Sequence, residues 1–114
     1  MNNYYPDRWV LVKITTSSDA KPYYKVFGSW SGGWCGSDSW KMNSGINGVS
    51  FKDNCFNFSG LSGSNYICHA QSYGTNLYSH GVLNSIIEQG ATRGFLAEVL
   101  DENTDFLGLD FTRD

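Results

Sequence analysis

The segment RWVLVKITT (residues 8–16) has the strongest strand character in the chain, because β-branched and aromatic side chains dominate it. Ser17-Ser18-Asp19 follow it as a turn, and Pro22 then opens a second segment, Tyr23 to Trp30, of similar character. The two segments predict an antiparallel pair of strands. The Gly32-Gly33 pair ends the second of them.

Shorter segments of the same kind continue toward the middle of the chain. We predict strands around residues 39–42, 49–52, 55–59 and 65–70. Asp53-Asn54 and Ser62-Gly63 separate them as turns. Turn signals at intervals of about 8–12 residues are typical of a β-meander or a small barrel.

The pattern changes after residue 76 from strand-like to helical. Apolar residues recur there with helical spacing, at Val82, Leu83, Ile86 and Ile87, which predicts a helix over about residues 77–89. Asn76 suits its N-cap, and Gly90 suits the left-handed residue at its end. Alternation over residues 95–100 favours a last strand over a second helix.

These elements predict an α+β fold. We expect a small antiparallel, strongly twisted sheet, or a partly open barrel, of 5–7 strands, with one helix of the C-terminal half packed on it. A chain of 114 residues fits a single domain, residues 1–114. Residues 1–7 and 101–114 are expected to be loosely ordered.

Composition and charge narrow the class of protein. Hydrophobic residues make up 40% of the chain, too many for a disordered protein, and no apolar run is long enough to span a membrane. The N-terminus lacks the pattern of a secretion signal, so we expect a cytoplasmic protein. The net charge of -3 disfavours general binding of duplex nucleic acid, which needs a band of basic residues.

The three cysteines, Cys35, Cys55 and Cys68, are odd in number and form no CxxC pair. Cys68 and His69 are adjacent, so a strand would point them to opposite faces. We therefore expect buried free thiols rather than a zinc site, and neither a metal nor another cofactor.

The segment GSWSGGWCGSDSWKMNSGING (residues 28–48) consists largely of Gly, Ser and Trp. Glycine allows the main chain to approach a ligand and present its N–H groups, and tryptophan offers a flat face for a base or sugar ring. The sequence predicts a ligand-binding site formed by Trp30, Trp34, Ser37, Asp38, Ser39, Trp40, Lys41, Ser44 and Tyr66.

A structural interpretation of the same residues stays open. In a small sheet Trp9, Trp30 and Trp40 can fill the core, while the glycines form turns and bulges. The segment matches neither a P-loop nor a dinucleotide-binding fingerprint. Trp34 favours a site, because it lies in a loop, where the core needs few aromatic side chains.

A hydrolase would need a nucleophile and a base brought together. The chain lacks a GxSxG nucleophile elbow, and only Asp38 supplies a carboxylate within the aromatic segment. His80, near a helix start, and Cys68 are the remaining candidates for catalytic residues. An enzyme is therefore an alternative rather than the main prediction.

Several blocks of the sequence, in the same order, resemble a family of small accessory proteins of tailed phages, especially phages of marine bacteria. The resemblance covers residues 5–80 and rests on residues 5–10, 24–28, 32–41, 43–46 and 62–66. It carries over no functional residues. It implies an accessory phage protein in the host cytoplasm, of a size suited to capturing a host defence signal or binding a host protein.

Together these observations predict a non-enzymatic binding protein that captures a small polar ligand with a flat ring, nucleotide-like or a sugar. The first alternative is an interaction module that blocks a host protein, with exposed aromatic residues as hot spots. The second is a small hydrolase that uses His80 or Cys68. A sheet with one uncovered face is compatible with a homo-oligomer.

Overall fold

The computed structural model describes residues 2–16, 21–32 and 37–112. The predicted turn at Ser17-Ser18-Asp19 lies outside them, as do Gly33, Trp34 and Cys35. The elements are β1 (Asn3–Tyr4), β2 (Arg8–Thr15), β3 (Tyr23–Trp30), β4 (Ser39–Met42), β5 (Ile46–Lys52), β6 (Cys55–Gly60), β7 (Asn65–His69), α1 (Leu77–Thr92) and β8 (Leu96–Val99). Short 3-10 turns follow β7 and β8, at Ala70–Ser72 and Phe106–Gly108.

The strands form two four-stranded sheets. We call the one with order β4-β3-β2-β8 the central sheet and the one with order β1-β7-β6-β5 the outer sheet. Each contains an antiparallel meander, β2-β3-β4 or β5-β6-β7; β8 extends the first antiparallel to β2, and β1 extends the second parallel to β7.

The α+β class, the antiparallel strands and the helix of the C-terminal half are confirmed. The described residues form eight strands in two sheets, however, where we expected 5–7 in one, and the sheets do not close into a barrel.

The central sheet is covered on both sides, which explains the continuous apolar run in β2. One face, with Val10 and Val12, packs against α1 through Leu83 and its neighbours. The other face, with Trp9, Leu11 and Val26, packs against the inward side chains of the outer sheet, chiefly Phe58, Tyr66 and Cys68. The described residues therefore form three layers, helix, central sheet and outer sheet, and none of them packs over the far face of the outer sheet, which we call the uncovered face.

Asn43 joins the two sheets where the chain passes from β4 to β5. Its buried side chain accepts a hydrogen bond from the Val26 N–H at 2.9 Å and donates one to the Gly45 carbonyl at 3.3 Å. Because this buried amide bonds the main chain of β3 and the main chain just before β5, it fixes the direction in which the chain passes from one sheet to the other.

The ends of α1 show one confirmed and one wrong prediction. Asn76 caps the helix, accepting from the Ser79 N–H, while the Ser79 hydroxyl accepts from the Asn76 N–H. Gly90 does not end it: it is buried inside the helix against the Phe95 ring, where a Cβ would lie 2.6 Å from a ring carbon. The left-handed residue is Gly94, with φ +89°. The Phe95 N–H then bonds the Gly90 carbonyl, which closes the helix in a Schellman motif.

Candidate functional site

The Gly/Ser/Trp segment, residues 28–48, runs from the end of β3 through β4 into the start of β5, and the predicted site residue Trp34 lies outside the part of it that the structure describes. The two described tryptophans point to opposite faces of the central sheet. Trp40 pairs with Ser29, the residue before Trp30 in β3, and directly paired residues share a face. Because successive side chains of a strand point to opposite faces, the Trp30 ring lies on the other face from Trp40. One pocket cannot use both rings.

Trp30 belongs to a cluster around Tyr4 that closes one edge of the space between the sheets. The Tyr4 ring centroid lies 6.4 Å from that of Trp30 and 5.1 Å from that of Tyr66, and the Lys41 ammonium lies 5.1 Å above the Tyr4 ring. The Trp30 indole N–H donates to the Tyr5 carbonyl at 3.0 Å. Three predicted site residues, Trp30, Lys41 and Tyr66, thus meet here, each against the Tyr4 ring.

The predicted polar residues lie at both ends of β4, with Ser37, Asp38 and Ser39 at its start and Ser44 after its end. Ser37, Asp38, Ser39 and Ser44 are all exposed. The Asp38 carboxylate accepts a hydrogen bond from the Gly32 N–H at 3.0 Å, which links the residues before β4 to those after β3. Because the carboxylate occupies the Gly32 N–H, that main-chain donor is not available to a ligand.

Among the predicted site residues that the structure describes, Trp40 has the most accessible aromatic face. Its side chain is 42% exposed and stacks on the Phe27 ring, with centroids 5.6 Å apart and an angle of 28° between the planes. Phe27 is itself buried, so it supports the indole from below. The result is a rigid, partly exposed ring on the helix side of the central sheet.

Arg8 and Ser29 lie in register with Trp40 across β2, β3 and β4, and we call these three residues the Trp40 row. Two strand spacings separate Arg8 from Trp40, about 10 Å between their backbones. The exposed Arg8 guanidinium donates a long hydrogen bond, 3.4 Å, to the Tyr73 carbonyl, and Gly74 leaves room for it, since a Cβ there would lie 2.9 Å from the guanidinium. Sequence reasoning missed Arg8 because it lies 32 positions before Trp40 in the chain.

A separate cavity of about 280 Å³ lies on the uncovered face of the outer sheet. It is lined by Ser50, Lys52, Asp53, Cys55, Asn57 and Ile67, none of them a predicted site residue. The Asn57 side-chain oxygen is withdrawn from solvent and has no hydrogen-bond partner among the described residues. A buried acceptor without a donor costs about 1–3 kcal/mol of folding free energy, so such an oxygen is rare in a folded protein.

The two catalytic candidates lie in different layers. Cys68 is completely buried between the sheets, and burial raises the pKa of its thiol well above the usual range, so it offers no thiolate at neutral pH. His80 is exposed on α1, where its ring contacts the Asn84 amide at 3.2 Å. The central sheet lies between the two residues.

Within residues 2–16, 21–32 and 37–112, no three His, Cys, Asp or Glu side chains are grouped as a metal site would require. Within the same ranges, no helix has the length and apolar character needed to cross a membrane. Searches against protein-family models, curated proteins and solved structures found no match to this chain.

Tyr66, the ninth predicted site residue, is buried, and its titration gives a test of the core. Burial, and then the nearby Tyr4 and Cys68, raise the pKa of Tyr66 from 10.0 to about 12. Above pH 10 the unfolded chain loses a proton that the native state keeps, so this contribution to stability is present below pH 10 and is lost as the pH rises to about 12. Denaturant unfolding at successive pH values should show stability falling less steeply in Tyr66→Phe than in the parent protein. Equal slopes would contradict the burial of this hydroxyl.

Proposed function

We propose that the protein is a non-enzymatic binding protein whose Trp40 row captures a small polar ligand with a flat ring, nucleotide-like in character. The observation that carries the proposal is the partly exposed Trp40 indole held flat against buried Phe27. A ring that is already fixed loses little entropy when a ligand stacks on it. The described lining of the outer-sheet cavity contains no aromatic ring, so it suits such a ligand less well.

Arg8 suggests that the ligand carries an acidic group. Its guanidinium is exposed and only weakly engaged by the Tyr73 carbonyl, at 3.4 Å, which leaves donors for a phosphate or carboxylate. The Arg8–Trp40 separation suits a molecule with a ring at one end and an acidic group at the other. The resemblance to phage accessory proteins supports a host signalling nucleotide as one such ligand.

Binding can be measured by tryptophan fluorescence and calorimetry with adenosine and uridine monophosphates, the matching nucleosides and glucose. We expect a monophosphate to bind and Trp40→Ala to weaken it about tenfold or more, because stacking on an aromatic side chain contributes about 1–3 kcal/mol. Arg8→Gln should remove the preference for the monophosphate over its nucleoside.

Phe51→Ala is the matched control, because Phe51 is an aromatic residue of similar exposure, 46%, on β5 of the other sheet. It should leave affinity unchanged. If no compound of the panel binds, or if Trp40→Ala binds as well as the parent protein, the Trp40 row does not capture a ring-containing ligand.

A further inference from the structure

The uncovered face of the outer sheet places three chemically active side chains in one row. Cys55 pairs directly with Lys52 of β5 and with His69 of β7. Because side chains alternate along a strand, all three point away from the core, while the neighbouring Phe56 and Cys68 point into it. Side chains in directly opposed positions of antiparallel strands have Cβ atoms about 4.5–5.5 Å apart.

The hairpin turn makes this row rigid at one end. Lys52 and Cys55 flank Asp53 and Asn54, which both have positive φ, 53° and 62°. This is the two-residue turn whose twist matches that of paired strands. The Lys52–Cys55 pairing is therefore fixed by the local backbone.

Both neighbours of Cys55 bring a polar side chain to the same face of the outer sheet. Lys52 brings an ammonium group. The His69 Nδ1 accepts the Gln71 N–H at 3.2 Å, so the neutral imidazole carries its proton on Nε2 and can donate it. Asp53 is the acidic side chain of the same cavity lining. A cation and an N–H donor beside a partly exposed cysteine are the surroundings in which thiols become nucleophilic.

The cavity in front of Cys55 gives this thiol a binding space. Cys55 lines it together with Ser50, Asn57 and Ile67, in a volume of about 280 Å³. Lys52 can hold a carboxylate at the rim. Turning the Asn57 amide toward the cavity would give its unpartnered oxygen a donor from a ligand N–H. These are the features of a site for a small peptide-like molecule that bears carboxylates and amides.

We propose that Cys55 is a modification site that forms a mixed disulfide with a small peptide disulfide of the glutathione type. The Cys55 thiol loses its proton to solvent, and the thiolate attacks one sulfur of the disulfide. A new S–S bond forms as the old one breaks, and the departing thiolate takes up a proton. Cys55 is oxidised and the departing sulfur is reduced, so no further oxidant enters the reaction.

The experiment uses a Cys35→Ser variant, so that Cys55 and Cys68 are the remaining thiols. Native protein is incubated with oxidised glutathione, and adducts are followed by intact mass and located by peptide mapping. We expect one adduct, on Cys55, with Cys68 unmodified. Lys52→Gln and His69→Gln should each slow the reaction about three- to tenfold, because each removes a polar side chain that lies beside the reacting sulfur and can bind the peptide disulfide.

Two controls separate this environment from simple exposure. Lys41→Gln removes one positive charge from the other sheet and should leave the rate unchanged. In denaturant, Cys55 should react more slowly than in the native protein, since the row no longer exists. The proposal is overturned if the native protein forms no Cys55 adduct, if Cys55 reacts no faster folded than unfolded, or if both Lys52→Gln and His69→Gln react at the parent rate.

Discussion

Trp9→Ala is expected to lower the free energy of unfolding by about 3–5 kcal/mol, among the largest effects of any single substitution. Trp9 is 1% exposed and lies at the centre of the space between the sheets. Its ring lies within 6 Å of four others, those of Phe56, Phe58, Tyr73 and Phe106. Its indole N–H also donates to the His69 carbonyl at 2.7 Å, so the substitution leaves both a cavity and an unpaired acceptor.

Urea unfolding followed by circular dichroism measures this loss, and Trp40→Ala provides the matched control. Trp40 loses the same number of atoms but is 42% exposed, and among the described residues its ring stacks on Phe27 alone. We expect its cost to stay below about half that of Trp9→Ala, because the surface left behind refills with water. Equal losses would mean that Trp9 does not hold the two sheets together.

The contrast between these tryptophans shows what the sequence can predict. The β-branched run of β2 predicts the strand, and Asn76 predicts the helix start, because both depend on neighbours in the chain. The continuous burial of residues 9–12 follows from a sheet covered on both faces, a property that only the second sheet supplies. We predicted one sheet because the alternation of apolar and polar residues along the strands is the same in one sheet as in two packed sheets.

The candidate sites were harder to predict than the strands, since they depend on register. The pairing register of β4 on β3 places Trp30 toward Tyr4 and Trp40 on the helix side, and a register shifted by one residue would exchange the faces of β4. Arg8 joins Trp40 only through two strand pairings. Cys55, likewise, pairs with His69 although the two lie 14 positions apart in the chain, and the sequence offered no signal for this pairing beyond the Asp53-Asn54 turn.

Phe106→Ala is expected to be the second large loss, again about 3–5 kcal/mol. Phe106 lies in the C-terminal segment, residues 101–114, that composition predicts to be loosely ordered, yet it is 4% exposed. Its ring centroid lies 5.4 Å from that of Trp9 and 5.3 Å from that of Tyr73. A short 3-10 turn, Phe106–Gly108, presents the ring to the core.

Phe111 also enters this core, and Lys21 holds the segment between them in place by its ion pair with Asp110 at 2.7 Å. The described acidic side chains of this segment therefore face solvent, while the Phe106 and Phe111 rings pack into the core and hold the segment against it. Leu107→Ala is the matched control, because the adjacent Leu107 is 52% exposed and should cost little when truncated. Thermal and urea unfolding of both variants measure the difference. If Phe106→Ala is as stable as Leu107→Ala, the segment does not complete the core, and the space beside Trp9 must be filled by other residues.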